Sequence, residues 1–308
     1  MTARRLDGTA TALTIREEIG RGVFALRQRA GVTPGLTVIL VGEHPASMAY
    51  VRGKEKAARE AGMNSEILRL PETTGEAEIL ATVNRLNGDR SVHGILMQLP
   101  LPAGVDTHRV IEAIDPAKDV DGFHPENAGR LLLGLPGVLP CTPAGVIALL
   151  KRHAVPFEGK RAVVLGRSNI VGKPMALLLL RENCTVTIAH SHTHDVASVA
   201  AEADILVAAI GRPGFVRANF IKPGAAVVDV GIHALHDRDA VRALLGDDEA
   251  KLQALAAKGS VLCGDVHPRE GAERAGWLSP VPGGVGPMTI AMLLSNTLEA
   301  SIRCSASA

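Results

Sequence analysis

The sequence predicts an α/β protein of two lobes, each built on a mostly parallel sheet. Short apolar runs alternate with amphipathic stretches along almost the whole chain, which is the signature of repeated β-α units. A Gly- and Pro-rich stretch at 115–143 interrupts that alternation, after which the pattern restarts. The chain has 308 residues, more than the roughly 100–200 residues of a single domain.

In the first half, 36–41 has the pattern of a buried strand, closed by the turn Gly42-Glu43-His44-Pro45. The stretch 46–61 reads as a helix ending at Gly62, a residue that accepts the left-handed backbone common at helix ends. A strand at 65–70, a helix at 75–86 and a strand at 94–98 follow. Leu99-Pro100-Leu101-Pro102 stops the last of these, because proline has no N–H to give to a ladder. Helices are expected at 106–114 and, past the loop, at 144–153, the latter as the linker between lobes. The second half predicts strands at 161–166, 185–190, 204–210, 225–230 and 261–262, with a helix at 174–181. The Ala-, Leu- and Asp-rich segment 235–259 has helical spacing and no evident chemistry, so it reads as a surface helical excursion. A last helix at 288–302 follows the loop Pro280-Val-Pro-Gly-Gly-Val-Gly-Pro287.

Composition narrows the function classes. Hydrophobic residues make up 46% of the chain but aromatic ones only 2%, so Leu, Val, Ile and Ala must fill the core and little remains to stack on bases. Net charge is +1, without the basic excess that a nucleic acid or an anionic membrane would require. The densest apolar run, 175–180, stops at Arg181-Glu182, far short of a membrane span. The opening Met-Thr-Ala-Arg-Arg-Leu-Asp-Gly has no apolar signal region behind its arginines. Cys141, Cys184, Cys263 and Cys304 form no CxxC pair, so neither a disulfide framework nor a zinc finger is expected. A cytoplasmic protein without nucleic-acid or membrane partners is the expectation.

Gly166-Arg-Ser-Asn-Ile-Val-Gly172 lies directly after a predicted strand and before a predicted helix. There, free helix N–H groups and the positive end of the helix dipole suit a pyrophosphate, as in Rossmann-type domains. Ser168 stands where the usual fingerprint has its middle glycine, and the final glycine comes one place late. An NAD site usually carries an acidic residue at the end of the next strand for the ribose 2′-hydroxyl. Here the chain reads His190-Ser191-His192-Thr193, with no carboxylate before Asp195, while Arg167 sits in the turn itself. A missing acid beside an arginine favours the 2′-phosphate, hence NADP. His190, His192 and His194 would share a face in an extended segment, either as metal ligands or as donors bordering the cofactor. No carboxylate or cysteine cluster supports a metal beyond Asp195, and none is expected.

A second set of candidates lies in the first half. Ser47, Tyr50 and Lys54 fall on one face of the predicted helix. A partly desolvated lysine there could exchange protons near neutrality, or it could simply extend an apolar stem to solvent. Gln98 is a lone amide at the end of an apolar strand, where open α/β sheets place ligands, though a merely satisfied amide fits as well. Lys118-Asp119-Val120-Asp121-Gly122 puts two carboxylates and a lysine in a loop that reads as a solvated turn or a binding loop. The prolines of 280–287 fix the backbone and its glycines permit close approach, which suits a ligand-contacting wall or a tight hinge.

Taken in order, these motifs resemble the bifunctional methylenetetrahydrofolate dehydrogenase/methenyltetrahydrofolate cyclohydrolase family, the FolD family. The resemblance rests on Ser47-x-x-Tyr50-Val51-x-x-Lys54, Gly94-Ile-Leu-Met-Gln98-Leu-Pro-Leu-Pro102 and Lys118-Asp-Val-Asp-Gly-Phe123. Pro140-Cys-Thr-Pro143, Gly166-Arg-Ser-Asn-Ile-Val-Gly-Lys-Pro174 and Pro280-Val-Pro-Gly-Gly-Val-Gly-Pro-Met-Thr289 complete it. It implies NADP-dependent oxidation of 5,10-methylenetetrahydrofolate to the methenyl cation, then hydrolysis to 10-formyltetrahydrofolate, a one-carbon donor for purine biosynthesis. By position it makes Lys54 the main catalytic residue, with Tyr50 placing the folate, Gln98 holding Lys54 and Asp121 anchoring the pterin. Met97, Leu99, Pro282, Gly283 and Gly284 would contact substrate, and Gly166, Arg167, Ser168, Ser191, Ile232 and Thr289 the NADP. The resemblance further implies that the final helix returns to the first lobe. The expected domains are therefore 1–141 plus 287–308 for folate and catalysis and 142–286 for NADP, in a homodimer. Ser279 stands where the family has Thr, Met97 where it more often has Val, and the stretch after Gly231-Ile232 is longer than the family pattern.

Overall fold

A computed structural model of the chain describes residues 2–306, without the side chains at positions 45, 46 and 49. The chain divides into two compact units: the residues up to Thr11 with Thr142–Thr289, and Ala12–Cys141 with the residues from Ile290. The first strand and helix are β1 (Arg4–Arg5) and α1 (Gly8–Ala30). Next come β2 (Gly35–Val41), α2 (Pro45–Glu60), β3 (Asn64–Leu70), α3 (Glu76–Gly88), β4 (Gly94–Met97), α4 (Thr107–Glu112) and α5 (Pro125–Leu132). After α6 (Cys141–Arg152) the chain forms β5 (Arg161–Leu165), α7 (Gly172–Arg181), β6 (Thr185–Ala189), α8 (Val196–Ala200), β7 (Ile205–Ala208) and β8 (Ala226–Asp229). The remainder is β9 (His233–Leu235), α9 (Arg238–Leu245), α10 (Glu249–Lys258), β10 (Val261–Cys263), α11 (Pro268–Arg274), β11 (Trp277–Leu278) and α12 (Val285–Ala306).

The unit containing Ala12–Cys141 is built on a parallel three-stranded sheet in the order β3-β2-β4. Every residue of β2 is buried, as a continuous apolar run demands of a central strand covered on both faces. Ile39, Val41, Ile79, Val83, Ile95, Met97 and Val110 form one core cluster of this unit. The later part of α12 belongs here: Asn296 Nδ2 donates to the carbonyls of Val120 (2.9 Å) and Leu139 (3.0 Å), with Leu293, Leu294 and Thr297 buried beside it. That is the return of the last helix that the resemblance implied.

The other unit holds a six-stranded parallel sheet in the order β1-β11-β8-β7-β5-β6. From β5 the chain moves outward to β6, then crosses to the far side of β5 for β7. The strand order therefore reverses between β5 and β7, the switch point where a doubly wound sheet opens a crevice at its carboxyl ends. Strands β7 and β8 are wholly buried and pack Leu206, Ala208 and Val227 with Val163 and Leu165 of β5.

Several elements differ from the sequence reading. Residues up to Thr11, expected with the folate lobe, lie in the unit of the six-stranded sheet because Arg4 and Arg5 pair with Trp277 and Leu278 of β11. Helix α1 was not foreseen, although Ala12, Ile15, Ile19, Val23 and Leu26 form its buried stripe. Helices α5 and α11 begin at His124-Pro125 and His267-Pro268, where the histidine Nδ1 accepts the amides of Glu126 (3.0 Å) and Glu270 (3.4 Å). The expected strand at 261–262 lies outside the large sheet and pairs with β9 as an antiparallel ribbon. Between those two strands the excursion at 235–259 forms α9, which buries Val241 and Leu244, and α10, which buries nothing. Among the described residues no helix is long and apolar enough to cross a membrane.

Candidate functional site

Helix α2 places Tyr50 and Lys54 one turn apart, and the Lys54 ammonium lies 4.5 Å from the centre of the Tyr50 ring. Lys54 is buried, 4% exposed, so it is not the solvent-seeking lysine that spacing alone permitted. Its Nζ donates to Gln98 Oε1 at 3.1 Å. Gln98 is fixed in turn: its backbone N–H continues the β4 ladder to Ile39 O (2.9 Å) and its Nε2 donates to Leu99 O (2.8 Å). The strand-end amide is thus oriented with its oxygen towards the lysine. Burial lowers the Lys54 pKa, while the nearby Asp121 and Cys141 oppose that shift. The same burial raises Asp121, with Lys54 pulling the other way. Met97, expected at the substrate, packs its side chain into the core cluster, whereas Leu99 is half-buried at its edge.

The 118–122 loop separates its charged groups into different roles. Lys118 Nζ donates to the carbonyls of Leu86 (3.0 Å), Asn87 (2.7 Å) and Asp89 (2.7 Å), closing the carboxyl end of α3. Asp119 is buried and accepts from the amides of Gly122 (3.1 Å) and His124 (2.8 Å) and from Asn127 Nδ2 (3.0 Å). Of the three, only Asp121 is coupled to Lys54. Cys141, at the start of α6, donates its thiol to Val120 O at 3.2 Å, and burial raises its pKa well above the ordinary value.

In the other unit the turn after β5 brings three backbone segments into close approach. Gly166 has φ +121°, and a Cβ there would lie 2.2 Å from Ala209 O; a Cβ on Gly172 would lie 2.3 Å from Gly166 O. Neither position admits a side chain, so the turn holds β5, the segment after β7 and the start of α7 in backbone contact. Ser168 is directed into the turn, its Oγ accepting from the amides of Val171 (3.2 Å) and Gly172 (3.3 Å). Arg167 and Ser191 are exposed, and Ile232 is 55% exposed. The 190–194 segment turns instead of extending: Thr193 N bonds His190 O (2.8 Å) and His192 N bonds His190 Nδ1 (3.2 Å). The shared face that three alternating histidines would have on a strand therefore does not form. Among the described residues no group of three or more His, Cys, Asp or Glu is placed to hold a metal ion. Asp195 is committed as the cap of α8, accepting from Ser198 N (3.3 Å) and Ser198 Oγ (2.6 Å).

The 280–289 segment belongs to this unit. Thr9 N donates to Gly283 O (3.0 Å), and a Cβ on Gly8 would fall 1.7 Å from Gly284 O. The close approach that its glycines allow is thus used at the start of α1, while Pro282 remains exposed. Thr289 Oγ1 lies 3.0 Å from Thr142 Oγ1 and donates to Val285 O (3.3 Å). Ser279, the departure from the family's threonine, keeps the hydroxyl that matters here: its Oγ accepts from Asp229 N at 2.8 Å.

Two buried carboxylates were missed in the sequence reading. Asp229 accepts from the amides of Gly231 (3.0 Å), Asp265 (2.9 Å) and Val266 (2.9 Å); burial pushes its pKa up to about 7 against these donors. Asp265 accepts from Ile210, Gly211 and Arg212 and faces His233. The available signal was an acid closing a short apolar strand, in Val227-Val-Asp229 and in Leu262-Cys-Gly-Asp265.

Comparison with known proteins assigns a family profile to each half of the chain. Residues 6–121 match the profile for the tetrahydrofolate dehydrogenase/cyclohydrolase catalytic domain, and 140–305 that for its NAD(P)-binding domain. The chain is 53% identical over 303 residues to the bifunctional protein FolD of Cereibacter sphaeroides, covering 98% of this chain and 96% of that one. Among solved structures, the FolD methylenetetrahydrofolate dehydrogenase/cyclohydrolase of Campylobacter jejuni is 43% identical with a TM-score of 0.88, covering 98% and 99% of the two chains. The Trypanosoma brucei enzyme, solved with NADP cofactor and inhibitor, is 39% identical with a TM-score of 0.89 over 98% of both chains. With both units matched along nearly their whole length, the chain belongs to the tetrahydrofolate dehydrogenase/cyclohydrolase family.

Proposed function

We propose that this protein oxidises 5,10-methylenetetrahydrofolate to the 5,10-methenyl cation with NADP⁺ and then hydrolyses that cation to 10-formyltetrahydrofolate. The observation that carries the reading is the buried Lys54, held by an oriented Gln98 and coupled to Asp121, in a chain matched in both units to the family. NADP⁺, when bound, accepts the hydride from the methylene carbon. Hydrolysis then needs one proton taken from the attacking water and one delivered to N5 as its bond to the former methylene carbon breaks, while the carbinol O–H releases the remaining water proton to solvent as the formyl C=O forms. A lysine whose pKa is lowered by burial can take the first proton and return the second. Gln98 Oε1 fixes the position of the amine, Tyr50 offers a ring face to the folate, and Asp121 accepts the N–H donors of the pterin. Leu99 at the strand end, and Pro282, Gly283 and Gly284, are proposed to border the substrate, with the buried Met97 packing behind Leu99 in the core cluster.

The residues of the turn after β5 suit a dinucleotide with a 2′-phosphate. Gly166 and Gly172 let backbone approach the pyrophosphate, whereas the first amides of α7 are held inside the turn, Val171 N and Gly172 N on Ser168 Oγ and Lys173 N on Ser168 O. Ser168 shapes that start by capping it. Arg167 is exposed at the turn, and the nearest acid beyond β6, Asp195, is occupied with its helix cap. Ser191, Ile232 and Thr289 complete the proposed NADP contacts. We further propose a cytoplasmic homodimer. Its support is the open edge strand β6, with Thr185, Thr187 and Ile188 exposed, and the exposed Leu180 before it.

Absorbance tests the reading directly: methylenetetrahydrofolate with NADP⁺ should yield reduced cofactor while the methenyl signal stays low. Accumulating methenyl signal would leave a dehydrogenase without the second step, and no signal would remove the enzymatic reading. The hydrolytic step should also carry the titration of Lys54. Because the neutral amine is the base, the rate is lost as pH falls through its folded pKa, so the rising limb of the pH–rate profile should lie below the ordinary lysine value of 10.5. Asp121→Asn removes a charge that raises that pKa and should move the limb in kcat lower still. A limb at or above the ordinary value, unmoved by this substitution, would take the proton transfer away from Lys54.

A further inference from the structure

We infer that Asp265 and His233 are positioning residues that set the affinity of the dinucleotide site by fixing the segment 210–212 at the carboxyl end of β7; this rests on the reading of the Gly166 turn as the NADP site. Asp265 is fully buried, and its two oxygens face N–H groups from two directions. Oδ2 accepts from Ile210 N (2.7 Å) and Gly211 N (3.0 Å), Oδ1 accepts from Arg212 N (2.8 Å), and His233 Nε2 lies 2.7 Å from Oδ1. Three consecutive amides on one carboxylate give 210–212 a single backbone path. The segment just before it is locked to the turn after β5, since Ala209 O occupies the space a Gly166 side chain would need. His233 follows Ile232, one of the proposed cofactor contacts. The buried carboxylate thus ties the chain leaving β7 to the chain leaving β8, and the approach of Ala209 to Gly166 extends that tie to the chain leaving β5.

The same clamp joins the inserted arm to the site. His233 opens β9, and Asp265 lies just beyond the end of β10, so the two residues stand at the base of the ribbon that carries α9 and α10. Beside the clamp, residues 214–216, which continue from 210–212, are zipped to 264–267 by Gly214 N to Gly264 O (3.0 Å), Val216 N to Asp265 O (2.9 Å) and His267 N to Val216 O (2.9 Å). Leu244 of α9 packs where a Gly214 side chain would stand, 2.1 Å from its ideal Cβ. The arm has no catalytic group of its own in this reading; it braces the backbone that faces the cofactor.

The test compares three variants by Kd and KM for NADP⁺, by dehydrogenase kcat, and by hydrolysis of methenyltetrahydrofolate supplied directly. His233→Ala removes one donor to a charged acceptor and should weaken NADP⁺ on the order of tenfold in Kd and KM while leaving kcat in place. His233→Gln keeps an N–H donor and should restore wild-type values. Asp265→Asn turns an amino group towards the backbone N–H groups and should weaken NADP⁺ more than His233→Ala. Hydrolysis should proceed at the wild-type rate in His233→Ala and His233→Gln. His233→Ala binding NADP⁺ as the wild type does would overturn the inference, as would equal losses in binding and hydrolysis. Should Asp265→Asn fail to fold, the two His233 variants decide alone. A wild-type protein that does not bind NADP⁺ would instead sink the reading of the site itself.

Discussion

Lys54→Met is expected to abolish hydrolysis of the methenyl compound while NADP⁺ still binds. Methionine matches the length and apolar stem of lysine, so packing around α2 survives and the loss is chemical. It leaves Gln98 Oε1 without its Lys54 donor and removes the amine whose charge acts on Asp121. Loss of positioned acid–base help costs on the order of 10²–10⁴ in rate. With methylenetetrahydrofolate and NADP⁺, the variant should accumulate methenyl absorbance that the parent clears. Cofactor titration should be unchanged, because the Gly166 turn and Arg167 lie in the other unit. Hydrolysis at the parental rate would remove Lys54 from the mechanism.

Arg167→Ala should separate NADP⁺ from NAD⁺. The side chain is exposed in the turn between β5 and α7, and no carboxylate follows β6 that is free to take a ribose 2′-hydroxyl. If the guanidinium meets the 2′-phosphate, its loss should raise the KM for NADP⁺ by about 10–100-fold, the worth of a charge-assisted contact, with little effect on NAD⁺. The comparison is a steady-state titration with each cofactor. Equal weakening of both would place Arg167 on the pyrophosphate or in the folding of the turn.

The sheets could be read from sequence because their strands are apolar runs bounded by Gly, Pro or charge, and because β2, β5, β7 and β8 are covered on both faces. What escaped was set by partners distant in the chain. β1 is two exposed arginines with no apolar pattern; it is a strand because β11 offers an edge and the Arg4 guanidinium stacks 4.4 Å from the Trp277 ring. The starts of α5 and α11 were hidden by histidine caps, which lie outside the usual Ser, Thr, Asp and Asn signals. The site divided likewise. Tyr50, Lys54 and Gln98 could be found from periodicity and strand ends, and their roles came from resemblance. Whether Lys118, Asp119 or Asp121 carried the chemistry of their loop could not be read, because the answer depends on the end of α3 and on Asn127. Asp265 was invisible as a clamp, since its three amides lie more than fifty residues away.

The pairing of β1 with β11 has a consequence for how this chain tolerates being cut. Neither unit is continuous: Ala12–Cys141 interrupts the chain of the nucleotide unit, and α12 runs from that unit into the other. A protease nick at the exposed Leu133 or Leu135 would fall between α5 and α6, a few residues before the units divide at Cys141. The fragments would nevertheless remain interlocked. The amino-terminal piece would still supply an edge strand to the nucleotide sheet, and the carboxyl-terminal piece would still supply the helix whose Asn296 closes the 120–139 segment. Two separately made halves divided there should therefore complement each other, whereas neither should be soluble and folded alone.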